Sequence, residues 1–286
     1  MGGGEGVWRF RGGQVGLGRA VVMGVLNVTP DSFSDGGRYQ APEAALAHAE
    51  ALLAAGADLL DVGGESTRPG ADEVSGEEEL ARVLPVLRLL KARLAAPVSV
   101  DTRRAAVAHA ALAEGAAIIN DVSALGDREM PGVVASAGAG VVLMHMRGTP
   151  RTMQRQAHYA DVVGEVAQEL AAARARALAA GIAPECIVLD PGIGFAKTAE
   201  HNWRLLGRLE VLAALGSPLL LGVSRKAFLG ALLDGAPPEQ RVGATAAACV
   251  AGYLAGARVF RVHDVREVRE ALRVAEAVQR AREGGP

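Results

Sequence analysis

Eight short apolar runs, at 21–26, 57–60, 97–100, 116–119, 140–144, 186–189, 218–223 and 257–260, alternate with long alanine-rich amphipathic stretches. The runs have strand length and the intervening stretches helix length, so the alternation is a βα period. The unit averages about 34 residues, enough for one strand, one helix and two connections. Eight such units predict an α/β fold of one kind, a closed (β/α)8 TIM barrel, and 286 residues is a length at which that architecture is commonly one domain. The expected organisation is therefore a single domain over 1–286, with the barrel from about 20 to 282.

The ends of the helices carry an independent signal. Gly56, Gly115, Gly138, Gly181, Gly216 and Gly256 each follow an alanine-rich segment and precede an apolar run by a few residues, as expected where a left-handed residue stops a helix. Residues 7–19 alternate around Gly12 and Gly13 and predict a short N-terminal β-hairpin that would plug or cover the lower mouth of the barrel.

Composition narrows the partners. Thirty basic against thirty-two acidic residues, a formal charge of −2, lack the electrostatic footprint of a general nucleic-acid binder or a polybasic membrane protein. Small molecules are the expected partners. Cys186 and Cys249 belong to no CxxC pair and cannot frame a domain of this size, which fits a reducing, cytoplasmic location. No apolar stretch reaches 18 uninterrupted residues and the N-terminus has no basic region followed by an apolar one, so neither export nor membrane insertion is expected. Only three of the thirty basic residues are lysine, which makes the positions of Lys197 and Lys226 informative.

A polar residue follows each apolar run or closes it: Asn27, Asp61, Asp101, Asn120, His145, Asp190, Ser224 and Arg261. In an eight-stranded barrel these positions are expected to face one mouth. Asn and Asp at a strand end are ordinary turn and cap residues, but His145, Arg261 and His263 have no capping reason to be there. Arg261 and His263, two apart in RVHDV, face the same side of an extended segment. After the first strand, NVTPDSFSDGG over 27–37 reads as a substrate-covering loop. After the second, GGESTRPG over 63–70 reads as an anion cradle, with glycine-flanked amides and the fork of Arg68. Asp101, Asn120 and Asp190 match the donor-rich edge of a planar nitrogen heterocycle, and Arg68, Arg261 and His263 would hold two linked phosphates. A divalent ion held partly by Asn27 would neutralise departing diphosphate, and magnesium is the hard-ligand choice. No GxSxG, HExxH or Walker sequence is present.

The stretches MGVLNVTPDSFSDGG, LLDVGGESTRPGA, SVDT, INDVS, LMHM, LDPGIGF, GVSRKAFLG and RVHDV, in that order, resemble the dihydropteroate synthase family, the sulfonamide target of folate biosynthesis. The resemblance spans about 20–280. It implies a barrel transferase that condenses 6-hydroxymethyl-7,8-dihydropterin diphosphate with 4-aminobenzoate to give dihydropteroate and diphosphate, working with Mg2+ and as a homodimer. By the same resemblance the pterin lies against Asp101, Asn120, Asp190 and Lys226. Asn27 is the metal ligand, and Arg68, Arg261 and His263 join it at the diphosphate. Thr67, Pro69, Phe195 and Ser224 form the aminobenzoate site under the loop that carries Phe33. The catalytic set implied is Asp101, Lys226, Arg68 and His263. Ala227 departs from the serine frequent in relatives and removes one hydroxyl from the aminobenzoate side. Two other readings stay open. A pterin-barrel methyltransferase acting on methyltetrahydrofolate has no diphosphate to hold and leaves Arg261, His263 and two long loops unexplained. A non-catalytic pterin-binding protein would be expected to have lost charged phosphate ligands, and none is missing here.

Overall fold

The structure is a computed structural model, described for residues 6–29, 41–67, 70–282 and 284. Two short strands, β1 (Val7–Phe10) and β2 (Gly13–Gly16), pair antiparallel across Gly12, whose φ of +79° suits a tight turn that a side chain would strain. The βα units follow: β3 (Val21–Asn27), α1 (Ala41–Ala54), β4 (Leu59–Gly63), α2 (Gly76–Arg93), β5 (Val98–Asp101), α3 (Ala105–Ala113), β6 (Ile118–Asp121), α4 (Met130–Ala137), β7 (Gly140–Met144) and α5 (Val162–Ala179). Then come β8 (Ile187–Asp190), α6 (Ala199–Leu206), α7 (Leu209–Ala213), β9 (Leu219–Leu221), α8 (Ala227–Leu232), α9 (Val242–Leu254), β10 (Ala257–Val262) and α10 (Val265–Arg282). Strands β3 to β10 are parallel and close into a barrel, β10 pairing with both β9 and β3. Each of the eight apolar runs became one of these strands. All six helix-stopping glycines have positive φ, between +59° and +106°.

Strand alternation sorts the core into two shells. Val22, Leu60, Val100, Ile119, Val141, Leu189, Leu221 and Phe260 face outward and pack under the helices. Val21, Met23, Leu59, Ile118, Val142, Val188, Leu220 and Val259 face inward and fill the lower barrel together with Trp8, Phe10 and Leu17 of the hairpin segment. Trp8 is fully buried and its Nε1 donates to the carbonyl of Cys186 at 3.1 Å. A Cβ on Gly140 would stand 2.9 Å from Phe10 Cβ, so this glycine admits the plug. The hairpin is thus part of the core. Trp8→Ala is expected to cost about 3–5 kcal/mol through lost burial and the cavity left behind, measurable as a lower midpoint in urea denaturation; an unchanged midpoint would mean that the hairpin merely rests on the barrel.

Candidate active site

Because β3, β4, β5, β6, β8 and β10 all bury every second side chain inward, the same phase that places Met23, Leu59, Ile118, Val188 and Val259 in the plug layer carries Asn27, Asp61, Asp101, Asn120, Asp190 and Arg261 to the C-terminal mouth. There Asp101, Asn120, Asp190, Lys226, Arg261, His263, Thr67, Phe195 and Ser224 line one cavity, with Val122, Met144, Gly192, Ile193 and Gly222 between them. Asn27 stands beside it: its Oδ1 lies 3.6 Å from where a Cβ on Gly63 would be, and Asp101 Oδ2 lies 4.0 Å from that point. Phe33, Arg68 and Pro69 fall outside the described residues.

The floor is an ionic network with more acid than base. Arg261 Nε donates to Asp61 Oδ2 at 2.6 Å and Nη2 to Asp101 Oδ2 at 3.0 Å. Asn120 Nδ2 also donates to Asp61 Oδ2, at 3.0 Å, which turns its carbonyl oxygen the other way, as an acceptor. Asp61 Oδ1 and Asp101 Oδ1 are buried without a protein hydrogen-bond partner. Two buried carboxylates thus share one guanidinium. Burial pushes Asp101 up to about 8 against the pull of Arg261, with Asp61, Glu79 and Asp121 adding to the rise. Asp190 is also raised by burial, opposed by the Gly192 amide that its Oδ1 accepts at 2.7 Å and by Lys226 and Lys197. Burial lowers Lys226 to about 8 against Asp190, and its ammonium sits 4.0 Å from the centre of the Phe195 ring. At the rim, Ser224 Oγ accepts from the His263 amide at 3.1 Å and lies 3.0 Å from His263 Nδ1.

Two expectations need correction. His145 does not face the mouth: β7 runs in phase with Val142 and Met144 inward, so His145 turns outward, its Nε2 3.0 Å from Glu169 on α5. Gly64 is not an exposed cradle amide. It is buried, and a Cβ there would meet Val83 Cγ2 at 2.7 Å and the Glu79 carbonyl at 3.2 Å; the glycine lets the loop lie flat on α2. Glu65 ties that loop down through Arg104, at 2.8 Å, while Arg104 also pairs with Glu79 on α2 at 2.5 Å. Asp61 was legible only as a strand-end residue. Its partners lie 59 and 200 positions away, and no local signal in the sequence announces them.

A parallel eight-stranded barrel with an acid-rich floor and cationic groups at its C-terminal mouth defines a class, the barrel enzymes whose active site is built at the strand ends. The family model described as pterin binding enzyme matches residues 23–263. A dihydropteroate synthase of Neisseria meningitidis serogroup B is 51% identical over 278 residues, 95% of this chain and 97% of that one. In three dimensions the chain is similar to Yersinia pestis dihydropteroate synthase in a sulfonamide drug complex, with TM-score 0.90, 45% identity and coverage of 96% and 99%. It is equally similar to the Xanthomonas albilineans dihydropteroate synthase with 4-aminobenzoic acid, with TM-score 0.90, 47% identity and coverage of 96% and 98%. The chain belongs to the dihydropteroate synthase family of pterin-binding enzymes.

Proposed function

We infer that the chain condenses (7,8-dihydropterin-6-yl)methyl diphosphate with 4-aminobenzoate, releasing diphosphate and forming dihydropteroate. One observation carries the reading: Asp101, Asn120 and Asp190, from three separate strand ends, and Lys226, at the start of α8, line a single cavity with Arg261 and His263. Acceptors on Asp101, Asn120 and Asp190 suit the amino and ring N–H donors of a pterin, while the Lys226 ammonium stacks over the Phe195 ring.

The bond to be broken joins a methylene to diphosphate, and the electron-rich ring can carry the positive charge that develops as it breaks, so a dissociative path fits. Buried carboxylates stabilise that charge where water is excluded. Arg261 and His263, with Arg68, are the leaving-group contacts in this reading. The arylamine is neutral at pH 7 and needs positioning more than a base; Thr67, Phe195 and Ser224, with Pro69 and Phe33, are its site. Asn27 Oδ1, facing the gap left by Gly63, is the sort of lone carboxamide ligand that suits an ion keeping most of its waters and taking phosphate oxygens. Among the described residues no cluster of three His, Cys, Asp or Glu side chains competes for such an ion. When bound, Mg2+ would neutralise charge on the departing diphosphate; this chain's own residues orient the methylene and exclude water.

We further read the protein as a cytoplasmic homodimer, a single domain. Both cysteines are free and buried, and no helix among the described residues is long and apolar enough to cross a membrane. Leu232 and Leu233 at the end of α8, Leu254 at the end of α9, and Val274 and Val278 on α10 are exposed and suit pairing through barrel helices. Incubation with pterin diphosphate, 4-aminobenzoate and Mg2+ is expected to release diphosphate only when both substrates are present. Binding without turnover would favour a silent pterin protein, and methyl transfer from methyltetrahydrofolate would favour the methyltransferase reading.

A further inference from the structure

One buried lysine has no place in the chemistry above. Lys197, 3% exposed, follows the β8 loop and is absent from the cavity wall. Its Nζ donates to the Phe195 carbonyl at 2.9 Å and to His145 Nδ1 at 2.9 Å, with the His145 carbonyl at 3.5 Å. His145 in turn reaches Glu169 Oε2 through Nε2 at 3.0 Å, and Arg147 pairs with Glu169 and Glu165. The chain of donors runs one way: Lys197 to His145 Nδ1, then His145 Nε2–H to the Glu169 carboxylate. That direction requires a neutral imidazole with its proton on Nε2. Burial and the adjacent Lys197 push His145 down to about 3, which keeps it neutral. Burial lowers Lys197 to about 7 against Asp190, but ammonium and amine alike have enough N–H groups for the two near acceptors.

The segment so held is the aminobenzoate side of the mouth. Gly192, with φ of +65°, lies so close to β7 that a Cβ would stand 2.0 Å from the His145 carbonyl. Gly194 donates its amide to Asn202 Oδ1 at 2.8 Å. Between these anchors and Lys197, Phe195 is fixed through its carbonyl, and its ring meets the Lys226 ammonium. We propose that Lys197 is a positioning residue for the arylamine site, acting through the Phe195 carbonyl with His145 as its buried counter-anchor. The proposal rests on the aminobenzoate reading of Phe195.

The experiment is steady-state kinetics on the full chain with each substrate varied in turn, beside calorimetric binding of the pterin diphosphate. Lys197→Met is expected to raise KM for 4-aminobenzoate about tenfold, the scale of one lost charged hydrogen bond, with KM for the pterin diphosphate within about twofold. His145→Leu should do the same. His145→Asn, whose Oδ1 can replace Nδ1 as acceptor for Lys197, should restore the wild-type value, and this pair carries the test if Lys197→Met fails to fold. Equal rises for both substrates would show that Lys197 acts through the charge of Asp190 and would overturn the proposal, as would a His145→Asn variant no better than His145→Leu. A wild-type enzyme with no turnover strikes the functional reading itself, whereas normal wild-type turnover with a flat Lys197→Met response strikes only this proposal.

Discussion

Asp101→Asn is expected to lower kcat by about 10²–10³-fold, the usual scale for removing one preorganised electrostatic group, while the affinity for pterin diphosphate changes only a few-fold. Asparagine keeps the size of the side chain and an acceptor oxygen but has no charge to offer the developing cation. The pH profile sharpens the expectation. A carboxyl raised to about 8 by burial holds its proton below that value and becomes the anion above it. If the anion is the working form, kcat/KM of the wild type rises with pH and levels off above about 8, and the Asp101→Asn variant is flat over the same range. Parallel measurement of binding and turnover decides it. Equal losses in both, or a rising limb that survives in the variant, would show that the Asp101 charge is not used in the transition state.

Arg261→Met should produce the largest loss of stability of any substitution in the mouth. Arg261 is the only guanidinium among the described residues that bridges Asp61 and Asp101, and the Asp61 side chain is wholly buried. Removing one partner from a buried ionic network commonly costs about 3–5 kcal/mol, because the charges left behind have neither water nor a counter-ion. For a chain of this size that corresponds to a fall in Tm on the order of 10 °C. The variant should also be nearly inactive, since the guanidinium that orients Asp61 and Asp101 would be gone. Adding Asp61→Asn to Arg261→Met should recover part of the Tm by removing the stranded charge, without recovering turnover. A single-variant Tm within about 2 °C of wild type would mean that the carboxylates simply take up protons at little cost.

These expectations rest on features of unequal legibility. Asn27, Asp101, Asn120 and Asp190 could be placed from their positions at the ends of the apolar runs, and Arg261 with His263 from period-two alternation, because strand geometry ties a side chain's direction to its neighbours two residues away. The helix-stopping glycines were equally local. His145 also follows an apolar run, but the phase set by Val142 and Met144 turns it outward. Gly64 looked like a phosphate-cradling glycine, yet the close approach of α2 explains its missing side chain. Local composition cannot distinguish a glycine that exposes an amide from one that admits a neighbouring helix.

The sequence alone determined the barrel, the plugging hairpin and the kinds of group gathered at the strand ends, since each follows from spacing, alternation and turn chemistry over a few dozen residues at most. Who pairs with whom emerges from the folded barrel: Asp61 orders both Asn120 and Arg261, Arg261 is shared by two acids, and Lys197 donates to the Phe195 carbonyl outside the cavity wall. Such pairings depend on Coulomb and hydrogen-bond terms that act within a few ångströms between residues up to 200 positions apart, and barrel closure alone brings them within that range.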